Sequence, residues 1–353
     1  RIVRIPNRLS HDVEHEALAL LSRAEQKIGH LYPKDDEGNK PIAYYWARTA
    51  TCSNPSCGAE VPLLKQFYLA NTSKRKVHLK PIITGRNVDF EVVEGEINQE
   101  GFLKRGANLE CPCCGSMTPV KQLKKQFKSG KSSERLLAVI TERASSGKHY
   151  RLPIERDFSF GIDVDFFRGE LMSPMQVGNN RNFNSPGWGI DDYAEMFTDR
   201  QLLAMQTLVE SIPEEYKIAS QGSYEQAIRA YLGILVDRFA AVGNCFGRIN
   251  NKRETFETPF ARQAVPMIFD FPEVSPFADA GGAVKNQLNW ILRYLNREDQ
   301  FFPCSVHNSA SGNKQQFQLK SLDAVVTDPP YYDAIAYADL SDFFYLWMKR
   351  SLS

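Results

Sequence analysis

Residues 321–331, SLDAVVTDPPY, leave the backbone less choice than any other stretch of this chain. Leu322, Ala324, Val325 and Val326 make a nearly continuous apolar run with two adjacent β-branched residues, the pattern of a strand buried on both faces of a parallel sheet. Asp328-Pro329-Pro330 then stops it abruptly. Each proline sets its own φ, pushes the preceding residue out of the helical region and removes an N–H from any ladder. Such a strand predicts an α/β fold, in which the loops beyond the carboxyl ends of the strands form the ligand crevice.

A loop of this kind is stiff and presents three groups: the Asp328 carboxylate, the Pro329 carbonyl and the Tyr331 ring. The exocyclic amino group of a nucleobase has two N–H donors and a lone pair delocalised into the ring. Two fixed acceptors can hold both hydrogens and turn that lone pair toward an electrophile, catalysis by orientation and placed dipoles. Tyr331 would stack on the base, for about 1–3 kcal/mol. A base in a duplex must first leave it.

The cysteines form a second constellation. Cys52 and Cys57, followed by Gly58, and Cys111 and Cys114, followed by Gly115, each place two thiols across a tight turn. Two such turns brought together give the tetrahedral sulfur set of a structural zinc site, closed to substrate. Cys113 lies between the ligands and should point away. His78 is an alternative ligand, but alternating with Val77 and Leu79 it is expected to face solvent. Between the knuckles, residues 76–93 read as a β-hairpin turning at residues 84–87.

Asp328-Pro329-Pro330-Tyr331 after an apolar strand resembles the catalytic motif of amino-group methyltransferases. The longer stretch TDPPYYDAIAYADLSDFFYLWMKR, with the cysteine knuckles, resembles the adenine-specific DNA methyltransferases that contain a zinc ribbon. YYWAR at residues 44–48, FTDRQLLAM at 197–205 and RQAVPMIFDFPEVSPF at 262–277 extend the likeness over most of the chain. The resemblance implies a partial, doubly wound, Rossmann-like α/β methyltransferase core carrying an inserted zinc ribbon and a helical region. The divisions it suggests are residues 1–50 linking from the core, 51–120 as the ribbon, 121–315 as a mainly helical region with target recognition, and 316–353 returning to the core.

The implied activity is methyl transfer from S-adenosylmethionine to the exocyclic amino group of adenine in DNA. Asp328 and Pro329 would orient the amino group, Pro330 fix the loop and Tyr331 stack on the base, with Zn2+ on Cys52, Cys57, Cys111 and Cys114. DNA, and subunits of a modification or phage-defence system, are the implied partners. The same loop chemistry also serves cytosine, RNA bases and protein side-chain amides. A zinc-dependent nucleic-acid-binding module without catalysis is the alternative of a different class.

Family members hold the cofactor on a glycine-rich loop after their first strand. Asp279-Ala280-Gly281-Gly282 stands too far from the nearest candidate strand, and no strand precedes Gly187-Trp188-Gly189. The chain opens on Arg1 and stops at Ser353, and both ends read as cut. The cofactor-binding residues are therefore expected upstream of Arg1, with Asp328 a candidate to line that site, and this chain alone is expected to bind the cofactor weakly or not at all.

Composition limits the alternatives. The 353 residues are 42% apolar and 24% charged, with a net charge of +1, so nucleic-acid contact must come from local patches. Lys121, Lys124, Lys125, Lys128, Lys131 and Arg135 make one, and Lys74-Arg75-Lys76 another; a solvated helix face explains them equally well. No leader or membrane-length apolar run is present, and the odd, paired cysteines suit a reducing compartment, so the expected location is cytoplasmic.

Four helices are expected from periodicity. One carries Val13, Ala17, Leu20, Leu21, Ala24 and Ile28, and another runs from Leu136 toward Tyr150. The Thr198/Gln201 capping box opens a third, and the long stripe of Tyr224, Ile228, Leu235 and Phe239 marks the fourth. A further helix should end near Asn296. Residues 41–51 and 265–271 read as strands. Trp46 and Tyr45 are expected in a core or domain contact, whereas Phe183 and Trp188 of the loop at 177–189 are candidates to stack on bases.

Overall fold

A computed structural model of the chain describes residues 6–143, 147–158, 161–171, 173–175, 183–218, 223–261, 264–297, 309–310, 312–313, 317–318, 321–329 and 337–353. Helix α1 (Pro6–Ile28) leads into strand β1 (Pro41–Thr51), the centre of the largest sheet. Every residue of β1 except Trp46 and Thr51 is buried, because both faces are covered. The cysteine-bearing region follows, with strands β2 (Glu60–Pro62), β3 (Tyr68–Asn71), β4 (Lys76–Thr84), β5 (Asn87–Glu94), β6 (Leu103–Lys104), β7 (Asn108–Glu110) and β8 (Met117–Thr118). The expected hairpin is β4–β5, and it pairs through Thr84 and Asn87 at its turn.

Helix α2 (Val120–Lys128) leads to β9 (Glu134–Arg143) and β10 (Gly147–Arg151). Helices α3 (Asp165–Leu171), α4 (Asp199–Glu210), α5 (Glu214–Lys217) and α6 (Tyr224–Ala240) come next. The chain continues through β11 (Arg248–Asn250), β12 (Thr255–Glu257), β13 (Asp270–Val274), α7 (Val284–Leu295) and α8 (Tyr337–Leu352). The main sheet has the order β10-β9-β1-β13, with β2 pairing the far end of β1, and all its pairs are antiparallel. Register shifts along β1–β9 accompany its curl.

Three expectations about these elements need correction. Residues 136–143 belong to a strand, not a helix. Leu136–Thr141 are all buried, so the apolar run has no period to separate helix from strand, and Val139, Ile140 and Thr141 favour the strand. The strand expected at 265–271 lies at Asp270–Val274, where Pro272 is accommodated because β13 is an edge strand.

The third correction concerns residues 321–329. They are neither buried nor paired among the described residues; Val325 and Val326 are 72% and 95% exposed. Apart from one isolated bridge between Phe183 and Val265, the pairs among the described residues are antiparallel. The architecture shown is thus mixed α/β with a curled antiparallel sheet, without a doubly wound parallel core among the described residues. An apolar β-branched run states what burial it suits, not which strand lies beside it.

The helices follow their sequence signals. Val13, Ala17, Leu20 and Ala24 of α1 are buried, with α4, α6 and α7 against that helix. Thr198 Oγ1 accepts from Gln201 N (3.1 Å) at the start of α4, and the Gln201 side chain accepts from Thr198 N (2.9 Å), the reciprocal box. Helix α8 crosses α6 closely at Gly233, where an added Cβ would lie 3.2 Å from Met348 Sδ. Phe343 and Trp347 of α8 are fully buried around Phe197, which stacks on Phe343 with 5.6 Å between ring centroids.

Arg200 of α4 ties helices to sheet. Its guanidinium pairs with buried Glu273 of β13, lies over the Tyr44 ring at 3.6 Å and donates to the Leu31 and Asp157 carbonyls at 3.1 Å each. Glu273 also accepts from Thr198 Oγ1 (3.1 Å), so the cap of α4 and this ion pair share one carboxylate.

Candidate metal centre and the exposed acidic loop

Cys52 follows the last residue of β1, and its N–H donates to the Ala59 carbonyl (2.8 Å). The four residues between Cys52 and Cys57 fold back through Asn54. Its side-chain oxygen accepts from Ser56 N (3.0 Å), and its carbonyl accepts from Cys57 N and Gly58 N (2.9 and 3.0 Å). Gly58, at φ +59°, completes the turn in a conformation that costs glycine nothing. The second knuckle closes likewise: Gly115, at φ +72°, donates to the Cys111 carbonyl (2.8 Å) and Cys111 N donates to Ser116 O (3.0 Å).

These turns bring the Sγ atoms of Cys52, Cys57, Cys111 and Cys114 within 4.8 Å of one another. Cys52 and Cys114 are 3.6 Å apart, and Cys57 and Cys111 3.8 Å. A tetrahedral zinc with Zn–S near 2.3 Å has S···S edges of about 3.8 Å, so the set fits that ion in number, softness and spacing. Cys113 is not part of the set. His78 is not a ligand either, and it is buried rather than solvent-facing: its ring meets Tyr68 and its Nδ1 donates to the Gly95 carbonyl (3.1 Å). Cys245 is buried away from the cluster against Gln201 Oε1 (3.3 Å).

The environment of the sulfurs is uneven. Ser116, through its hydroxyl and then its N–H, holds the exposed Cys114 thiol down to about 6, whereas burial pushes Cys52 up to about 12. Asn54 Nδ2 reaches both Cys114 Sγ (3.8 Å) and Ser116 Oγ (3.3 Å). The spacing of the cysteines carried no sign of this supporting pair. The Asn-Pro dipeptide inside the first knuckle, a turn-former, was the available signal.

Helix α2 stands directly beside the cluster. Gln126 donates to Thr51 O (2.8 Å) and accepts from Thr51 N (2.9 Å), one residue before Cys52. Leu123 and Phe127 are buried, Phe127 edge-on to Trp188. Lys121, Lys125, Lys128 and Lys131 are exposed, and none forms an ion pair among the described residues; Lys124 lies over the Trp188 ring. Trp188 and Phe183 are 5% and 4% exposed, so the expectation that they stack on bases is overturned: they fill the core. Tyr45 does belong to the core, donating to Asp270 Oδ2 (2.7 Å), and Trp46 packs half-buried against it.

Asp328 and Pro329 are exposed, and Asp328 makes no hydrogen bond or ion pair among the described residues. Pro330 and Tyr331 lie outside the described residues. Downstream, α8 is firmly seated, with Tyr193 Oη donating to the Asp339 carbonyl (2.6 Å) and Arg229 Nε to Ser351 O (2.8 Å). Among the described residues no helix is long and apolar enough to cross a membrane. Comparison of the chain with protein-family models, with curated proteins and with solved structures finds no match.

Proposed function

We propose that this chain belongs to an S-adenosylmethionine-dependent methyltransferase that modifies the exocyclic amino group of adenine in DNA, with a doubly wound core and a structural zinc ribbon. The observation that carries this reading is Asp328-Pro329: an exposed carboxylate and carbonyl on a proline-bounded loop, Asp328 making no hydrogen bond or ion pair among the described residues, ahead of a helix anchored in the core. Acceptors left free on a proline-stiffened loop are available to a substrate's N–H groups. In this reading Asp328 and Pro329 hold the amino hydrogens, Pro330 restricts the loop and Tyr331 stacks on the base.

The cofactor supplies the electrophilic methyl group; the role of these residues is to position the nitrogen. Zinc would organise the knuckles and not the reaction, since four thiolates leave no open position. DNA contact is supported by the unneutralised lysines of α2 beside the cluster.

The test is expression of the full-length protein in a host without adenine methylation, followed by nucleoside analysis of its DNA. N6-methyladenine that disappears with Asp328→Ala is the expected result. Methylcytosine, methylated RNA or a methylated protein amide would move the substrate, and transfer surviving Asp328→Ala would remove the catalytic assignment.

A further inference from the structure

Asp237 lies in the last turn of α6, where the negative end of the helix dipole disfavours a second anion. It is 8% exposed, Oδ1 is buried without a partner, and the carboxylate makes no hydrogen bond or ion pair among the described residues. Its neighbour Arg238 donates to Gln287 Oε1 (3.1 Å), but its Nε is buried without an acceptor and no carboxylate pairs with it among the described residues. Burial acts on both, raising the Asp237 pKa to about 7 and lowering that of Arg238. Buried polar groups normally find partners, so two adjacent exceptions call for a cause.

They cannot satisfy each other readily, because consecutive helical residues point about 100° apart. Both line a cavity of about 660 Å³ bounded by the end of α6, the β11–β12 hairpin, α7 and α8. Phe256, Phe344 and Val242 give it apolar walls. The other charges on its lining, Arg248 and Glu257, neutralise each other at 2.8 Å. One carboxylate and one guanidinium therefore remain unmatched in a space of the size small ligands occupy.

We infer that this cavity binds a zwitterion on an apolar body, a free hydrophobic amino acid whose ammonium meets Asp237 and whose carboxylate meets Arg238. The side chain lies against Phe256 and Phe344. Such a site is independent of methyl transfer and draws on none of the residues of the Asp328 loop.

Calorimetric titration of the full chain with methionine, leucine and phenylalanine tests it, set against N-acetylmethionine and methioninamide. At least one free amino acid should bind, and blocking either end of methionine, if methionine binds, or of whichever amino acid does, should weaken it by tenfold or more. In Asp237→Asn the preference for the free amine over the N-acetyl form should collapse, and in Arg238→Gln the preference for the carboxylate over the amide. A merely structural role would alter stability and leave both preferences intact. No binding of the three amino acids at millimolar concentration, or equal binding of the blocked forms, overturns the inference.

Discussion

Asp328 and Asp237 are carboxylates without partners among the described residues, in opposite surroundings. Asp328 is in water, so losing it removes nothing from the fold. If the proposed methyl transfer holds, Asp328→Ala should lower its rate by at least about a hundredfold with unchanged melting temperature, the mark of an interaction made in the transition state. Tyr331→Phe should be mild, because stacking survives, and Tyr331→Ala severe. Single-turnover kinetics beside thermal denaturation separates these outcomes.

Asp237 is buried beside Arg238 on its own helix, with Arg248 and Glu257 of the hairpin and Gln287 of α7 on the same cavity wall. Its folded pKa is raised by desolvation, to about 7, so the protonated form is the one the fold prefers. Its contribution to stability is complete below the unfolded value near 3.8 and is lost as pH rises through about 7. Asp237→Asn should therefore raise the melting temperature at pH 8 and have far less effect at pH 4. In a protein of this size each kcal/mol recovered is worth about 2–4 °C or less. Equal shifts at both pH values would show that the carboxyl is not desolvated as described.

At the scale of elements, the cysteine knuckles and α2 form one unit joined by the Gln126–Thr51 pair. One tightly held zinc per chain is expected. Cys111→Ser or Cys114→Ser should release it and loosen β6, β7 and β8, because in small modules metal binding supplies much of the folding energy. Cys113→Ser should keep it. Metal analysis by mass spectrometry decides, and a zinc lost with Cys113 instead would refute the ligand set.

The lysines of α2 make a separate prediction. Replacing Lys121, Lys125 and Lys128 by Gln should weaken DNA binding alike for all sequences. It should also flatten the dependence of log K on log salt by about 0.9 for each phosphate that the variant no longer neutralises. An unchanged slope would mean that the helix face is merely solvated. The seating of Leu123 and Phe127 leaves these substitutions neutral for the fold.

Across the whole molecule, Arg200 joins the helical layer to the curled sheet. Arg200→Met would strand the Glu273 carboxylate, which is fully buried, without its counter-charge. A loss of about 3–5 kcal/mol in urea unfolding is expected, with partial recovery in Arg200→Met/Glu273→Gln, since an unpaired buried charge costs more than an absent pair. A loss below about 1 kcal/mol would indicate that the sheet and helices do not depend on this junction.

Helices α1, α4, α6 and α7 were legible from sequence because their signals are local: apolar residues three and four apart, and a Thr-to-Gln cap within one turn. The four-cysteine set was legible for a similar reason, since each knuckle is closed by its own glycine. Burial is not local, and there tertiary structure decided. Leu136–Thr141 became a strand because β1 and β10 flank it, and His78, Phe183 and Trp188 went inward because neighbouring elements cover them. The Asp237 cavity is completed by Gln287 of α7 and Phe344 of α8, which lie far from Asp237 in the chain. For Leu322–Val326 the residues specify a strand's chemistry, but pairing needs a second backbone, and among the described residues none lies beside it.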